Sequence, residues 1–328
     1  MPRLNLFYGD GNRVVSKNRQ PPLPEPRPDA FSLGTGNGNR RARRTDPEAL
    51  AELERLIGLV QVKELVREIY AYLEVARWRT RENLNAEPTV LHMVFRGNPG
   101  TGKTTVARLL GRLFRELGVL TRGHLIEVER ADLVGEFVGH TAQRTREQVK
   151  RALGGVLFVD EAYSLARGGE KDFGREAVDT LVRSMEVHRN EFVLILAGYP
   201  AEMDRFLRIN PGLRSRLPVE LYFPDYSAAE LLEIARYLAS QRDYRLSPAA
   251  EAWLERYLRY LVLSGRAAQG NARLVRNLLE KAMRRQAVRL LRKGSATRQE
   301  LITLEAEDLE AAAALAEVTH GERPTLTG

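Results

Sequence analysis

The segment Gly97-Asn98-Pro99-Gly100-Thr101-Gly102-Lys103-Thr104 fills every fixed position of the pattern G-x-x-x-x-G-K-[ST]. An apolar run, Thr89–Phe95, feeds it, and a helical pattern, Thr104–Leu117, leaves it. This arrangement constrains the fold more than any other feature. Glycines let successive backbone N–H groups turn inward around an anion, and the following helix adds its N-terminus to the same site. The loop therefore predicts a phosphate cradle at the carboxyl end of a parallel strand. Lys103 is expected to reach the β- and γ-phosphates of a nucleotide, and the Thr104 hydroxyl to ligate Mg²⁺. A chance glycine-rich turn is the competing reading, and motif plus context outweigh it.

A second segment, Gly155-Val156-Leu157-Phe158-Val159-Asp160-Glu161, is an apolar run ending in two acids. At the carboxyl end of a strand beside the phosphate loop, Asp160 is expected to hold Mg²⁺ through water, and Glu161 to orient and deprotonate an attacking water. Two acids often simply end a strand. Placed downstream of a phosphate loop, they predict hydrolysis rather than transfer to a small-molecule hydroxyl.

Runs of strand length also occur at His124–Val128, Phe192–Ala197 and Val219–Phe223, with helical patterns at Gln143–Leu153, Arg175–Val187 and Ala201–Leu207 between them. Strands alternating with helices predict an α/β domain, a parallel sheet covered on both faces. Ahead of it, Asp46-Pro47 reads as an N-cap and first helical residue, and a longer amphipathic helix follows Gly58. After Pro224 the strand patterns stop, and helices are expected near Ala228–Gln241, Pro248–Leu263, Arg273–Arg292 and from Ala306. The predicted organisation is a disordered tail over 1–45, a nucleotide-binding α/β domain over 46–224, and a small helical lid over 225–328.

The tail reading rests on a proline run over 20–28 and a glycine–asparagine run over 34–39, which bury too little apolar surface to offset ordering. Nine Lys or Arg against three acids in residues 1–44 account for six of the eight net positive charges. The body is thus near neutral and carries no electrostatic footprint for a polyanion, so nucleic acid is not the expected partner. The chain has no cysteine, which excludes disulfides and thiolate metal sites. No segment approaches the roughly 20 apolar residues of a membrane span, and Met1–Gln20 lacks a signal pattern. A cytoplasmic protein is the expectation.

From about Leu56 to the last helix the chain resembles the AAA+ ATPases, specifically the CbxX/CfxQ group, which includes the red-type Rubisco activases and stage V sporulation protein K. The resemblance is carried by Gly97–Thr104, Leu133–Ala142, Phe158–Tyr163, Leu196–Pro200, Asn210–Arg216 and Gly270–Arg273 in order, and within the group it leans to the sporulation protein. It implies a P-loop sheet flanked by helices with a helical lid, ATP and Mg²⁺ as cofactors, and a homo-oligomeric ring, a hexamer, acting on a protein client. It also implies roles for individual residues. Phe137, Val138 and Gly139 fall at the aromatic–aliphatic–glycine pore loop, whereas a lone aromatic would otherwise be read as core. Arg214 or Arg216 falls at the arginine finger, which completes the site of a neighbouring subunit. Arg273 matches the second sensor. Ile57, Gly58 and Leu59 match the segment bordering the adenine. Tyr199 stands at the first sensor, where AAA+ proteins usually carry Asn or Thr.

Three function classes follow. A protein remodeller, sporulation-related or activase-like, fits the pore-loop segment and the finger arginines. An AAA+ protein serving nucleic acid would draw only on the basic tail. A kinase or nucleotide switch would leave Arg214, Arg216 and the lid sensor unexplained.

Overall fold

The computed structural model describes residues 47–85, 89–137, 139–167 and 173–319, with side chains as far as 314. Asp46, the tail and Val138 lie outside them.

The strands β1 (Met93–Gly97), β2 (Leu125–Val128), β3 (Val156–Val159), β4 (Val193–Gly198) and β5 (Val219–Phe223) form one parallel sheet in the order β2-β3-β4-β1-β5. Residues alternate between its faces, as the pleat requires. Met93, Phe95, Val156, Phe158, Ile195 and Ala197 enter one core, and Val94, Leu157, Val159, Leu194 and Leu196 the other. Burial on both faces is why these strands read as unbroken apolar runs.

The first face is covered by α1 (Glu48–Glu54), α2 (Val60–Arg81) and α3 (Lys103–Glu116). The second is covered by α5 (His140–Ala152), α6 (Gly174–Val187) and α7 (Pro200–Ile209), with the short helices α4 (Arg130–Leu133) and α8 (Pro211–Arg214) at its margins. Pro47 is the N-cap of α1, its carbonyl accepting from Leu50 and Ala51, so the helix begins one residue later than Asp46-Pro47 predicts.

Beyond β5 come α9 (Ala228–Ser240), α10 (Pro248–Leu263), α11 (Asn271–Lys293), α12 (Arg298–Ile302) and α13 (Ala306–Thr319). A capping box of Ser227 and Glu230 starts α9, and Gly294 in the left-handed region ends α11. The expectation that strands end at Pro224 needs correcting. Two-residue strands β6 (Arg245–Leu246) and β7 (Thr303–Leu304) pair in parallel, too short to leave a periodic signature. The apolar core of the first sheet face runs without a break through Phe223 and Tyr226 into Leu231, Leu254, Val275 and Leu309, so the helical part is anchored on the sheet.

The order of strands also corrects one local expectation. β3, which carries the two acids, is not hydrogen-bonded to β1; β4 lies between them. Tyr199, at the end of β4, therefore stands between the phosphate loop and the acids.

Candidate nucleotide site

The phosphate loop spans the gap between β1 and α3, and its shape is set by its own contacts. The Thr101 hydroxyl is buried and donates to the Asn98 carbonyl at 2.8 Å. Gly102 (φ 97°) turns the chain into α3 through the left-handed region. Gly100 (φ +71°) is there for a second reason: a Cβ on it would lie 2.1 Å from the Gly270 carbonyl oxygen. The Lys103 ammonium donates to the carbonyls of Gly97 (2.9 Å) and Asn98 (2.8 Å), which leaves one of its donors for an anion. Burial lowers its pKa from the ordinary value. The charges of Asp160, Asp225 and Glu161 act against that lowering, and Arg273 adds to it. These four charged groups therefore lie within electrostatic reach of the Lys103 ammonium.

Asp160 and Glu161 follow a wholly buried β3. The Asp160 N–H donates to the Val128 carbonyl at 3.0 Å, extending the sheet by one residue, and its carboxylate accepts from the Glu161 N–H at 2.9 Å. Glu161 sits at φ 46°, ψ 43°, a left-handed conformation unfavourable for a side-chain-bearing residue, which turns its exposed carboxylate off the strand axis. Tyr163 packs between the Arg167 guanidinium, 4.8 Å from its ring centre, and the Tyr199 ring at 5.9 Å. Burial and the nearby Glu161 push the Tyr163 phenol up to about 12. The hydroxyl of Thr104 faces Glu127 on β2, with 3.5 Å between oxygens.

The oxygen donors here fit the hard cation that the resemblance implies. Thr104, Asp160 and Glu127 offer a hydroxyl and carboxylates, and no cluster of three or more acids or histidines among the described residues would cage a metal unaided. That suits Mg²⁺, which keeps waters and is usually held by a few protein oxygens plus substrate phosphates.

The second wall comes from the N-terminal linker and the helical part. Gly58 (φ +63°) and Leu59 (φ 56°) are successive left-handed residues that open α2, and Leu59 packs 3.6 Å from the position a Gly102 Cβ would take. Ile57 is half-buried against the core. Tyr226 donates its hydroxyl to the Thr101 carbonyl at 3.2 Å. Arg273 is exposed near the start of α11, whose Ala272 N–H donates to the Gly100 carbonyl at 3.2 Å.

The remaining described sequence candidates have contacts of their own. Phe137 is 64 % exposed, its ring edge-on to His140 at 5.4 Å, and Gly139 (φ +82°) caps α5 with open space around it. Arg216 is tied down: it donates to the Gly212 carbonyl at 2.6 Å and pairs with Glu186 of α6. Arg214 is exposed; its backbone N–H donates to the Asn210 carbonyl at 3.1 Å, but its side chain makes no hydrogen bond or ion pair among the described residues. Three residues were not foreseen. Asp225 looks like an ordinary turn residue after Pro224, Tyr226 like a core aromatic, and Glu127 like one outward acid of a strand. Asn271 lay inside a quoted motif without a role.

Comparison with known proteins agrees with this geometry. Residues 93–225 match the family described as "ATPase family associated with various cellular activities (AAA)", and residues 227–319 match the AAA lid domain. Stage V sporulation protein K of Bacillus subtilis is 53 % identical over 259 residues, covering 79 % of this chain and 80 % of that protein. Protein CfxQ of Xanthobacter flavus is 48 % identical over 268 residues, covering 81 % and 84 %. The chloroplastic ribulose bisphosphate carboxylase/oxygenase activase of Cyanidioschyzon merolae is 45 % identical over 266 residues, covering 80 % and 90 %. Among solved structures, a RuvB variant of Thermotoga maritima superposes with a TM-score of 0.52 at 19 % identity, covering 81 % of this chain and 72 % of that one, a likeness of fold alone. With this loop, these acids and this lid, the chain belongs to the AAA+ ATPases of the CbxX/CfxQ group, whose members include stage V sporulation protein K and the red-type Rubisco activases.

Proposed function

We propose that this ATPase works as a homo-oligomeric ring, a hexamer, that uses ATP hydrolysis to remodel a protein client. The observation that carries the reading is a phosphate loop keyed to the first turn of α11, with Asp160, Glu161 and Arg273 within electrostatic reach of Lys103, while Phe137 and Arg214 present exposed side chains. Lys103 and the loop amides from Gly97 to Thr104 hold the phosphates, Gly58 and Leu59 border the base, and Arg273 approaches from the lid. Thr104 and Asp160 would hold Mg²⁺, which neutralises charge on the β- and γ-phosphate oxygens. Glu161 takes a proton from the attacking water. Arg214 is the better finger, because Arg216 is committed to bracing α8 against Glu186. An arginine entering a neighbour's site must leave its own subunit's surface unpaired, and a finger of this kind is worth about 10³ or more in turnover.

A 64 % exposed phenylalanine, flanked by Gly135 and Gly139, is suited to grip an extended polypeptide of any sequence. The Cyanidioschyzon relative is by its name an activase of another protein, which supports a protein client here as well. A sporulation-linked client and an activase-type client are both compatible with the site.

The test is ATPase rate per subunit against protein concentration for the parent chain, Arg214→Ala and Arg216→Ala. A rate rising steeply with concentration, abolished by Arg214→Ala with ATP binding intact and reduced only modestly by Arg216→Ala, is the expected result. A rate independent of concentration and of both arginines would replace the ring with a nucleotide switch acting alone.

A further inference from the structure

The junction between β5 and α9 holds a carboxylate that nothing in the hydrolytic scheme requires. Asp225 receives the Asn98 amide of the phosphate loop on both oxygens, at 3.0 and 2.9 Å. It also receives the Asn271 amide from the start of α11, at 2.8 Å. Two side chains from opposite walls of the nucleotide site thus converge on one anion. A carboxylate accepting from several N–H donors makes some of the stronger hydrogen bonds available to a protein.

Asn271 is built into this junction. It is fully buried and held at φ 44°, a left-handed conformation that asparagine adopts more readily than other side-chain-bearing residues. Its amide also donates to the Pro99 carbonyl at 3.2 Å, and its oxygen accepts from the Tyr226 N–H at 3.0 Å. The next residue, Ala272, donates to the Gly100 carbonyl, and Gly100 has no room for a Cβ beneath Gly270. Asn98, Pro99 and Gly100 are therefore each keyed to the first turn of α11, two residues ahead of Arg273. The phosphate loop cannot shift around an incoming anion without carrying that turn with it.

From this we infer that Asp225 is a positioning residue: it clamps the phosphate loop to the lid through Asn98 and Asn271, so that nucleotide occupancy is transmitted to the lid and Arg273 is set in register. The inference rests on the nucleotide-site reading above but not on the ring, the finger or the client. Coupling of this kind is reciprocal, so a broken clamp costs ATP affinity as well as lid response.

The absence of cysteine makes the test direct. Arg205→Cys on α7 and Arg292→Cys on α11, both exposed, are labelled in the full chain as a fluorescence-transfer pair. Mg²⁺ and a slowly hydrolysed ATP analogue are titrated while binding is followed independently. The labelled parent is expected to change transfer efficiency on binding. Asp225→Ala is expected to bind about tenfold more weakly, the scale of one charge-assisted hydrogen bond, and to lose the lid response even at saturation. Asn98→Ala, which cuts the same clamp from the loop side, is expected to behave alike and decides the matter if Asp225→Ala does not fold. A full lid response in the saturated variants overturns the inference, as does a parent whose lid does not respond. A parent that binds no nucleotide sinks the nucleotide-site reading too, and the binding titration tells that case apart.

Discussion

His92 offers a quantitative test of the packing beneath the site. It directly precedes β1 and is 2 % exposed, its ring 5.5 Å from that of Phe192. Its Nδ1 accepts the Leu194 N–H at 3.0 Å, so in the neutral ring the proton is on Nε2, which is buried with no partner. A second proton would have to go on Nδ1, displacing a backbone hydrogen bond of β4 and placing a charge in an apolar core. Burial accordingly lowers the pKa from 6.5 to about 4. Above pH 6.5 the folded and unfolded states are both neutral and nothing is lost. Below it the unfolded chain takes up a proton that the folded chain refuses, so stability falls as pH drops towards 4. The loss attributable to His92 is about 2 kcal/mol at pH 5 and about 3 kcal/mol at pH 4. The perturbation is His92→Asn, whose side-chain oxygen can take the place of Nδ1 without titrating. Its smaller volume lowers stability at every pH, by about 1–2 kcal/mol. Urea denaturation of both proteins from pH 7.5 to 4.5 isolates the effect as a difference, with carboxylate titrations cancelling. The gap between parent and variant should close, then reverse, as pH falls. A gap constant with pH would refute the argument. ATP affinity at neutral pH should not change, because His92 lies at the end of β1 opposite the phosphate loop.

Other expectations concern the site itself. Glu161→Gln should bind ATP as the parent does and hydrolyse it at least about 100-fold more slowly, as loss of a general base requires; a near-parental rate in a single-turnover assay would remove Glu161 from that role. Gly100→Ala adds a Cβ 2.1 Å from the Gly270 oxygen at a left-handed residue, so it should lower ATP affinity by at least about tenfold and move the start of α11, read by calorimetry and hydrogen exchange; unchanged affinity would show that the loop and lid are not so tightly apposed. Phe137→Ala removes an exposed ring and should leave the melting temperature within about 1 °C and ATP turnover within about twofold, while abolishing action on a client; loss of stability would make Phe137 a packing residue.

Much of the site was legible because it is local. A phosphate loop is a contiguous stretch of backbone, so its residues announce it in order, and a strand buried on both faces announces itself as an apolar run. The pair Asp160-Glu161 is readable for the same reason, since it ends such a run. The clamp at Asp225 was not legible, because its partners lie 127 residues away at Asn98 and 46 away at Asn271, and an aspartate after a proline otherwise signals only a turn. The distinction between Arg214 and Arg216 was equally closed to the sequence, since it depends on Glu186, brought over by the packing of α6 on α8.

The sequence by itself thus determined the phosphate-loop motif, the sheet that presents it and the family to which the chain belongs, because backbone-built loops and buried strands are encoded over a few consecutive residues. Tertiary structure alone decided which strand separates the phosphate loop from the acids, which arginine is left unpaired, and how the lid is fastened to the loop. Each of these depends on distant segments meeting, and hydrogen-bond geometry, unlike local periodicity, exists only once the chain has folded.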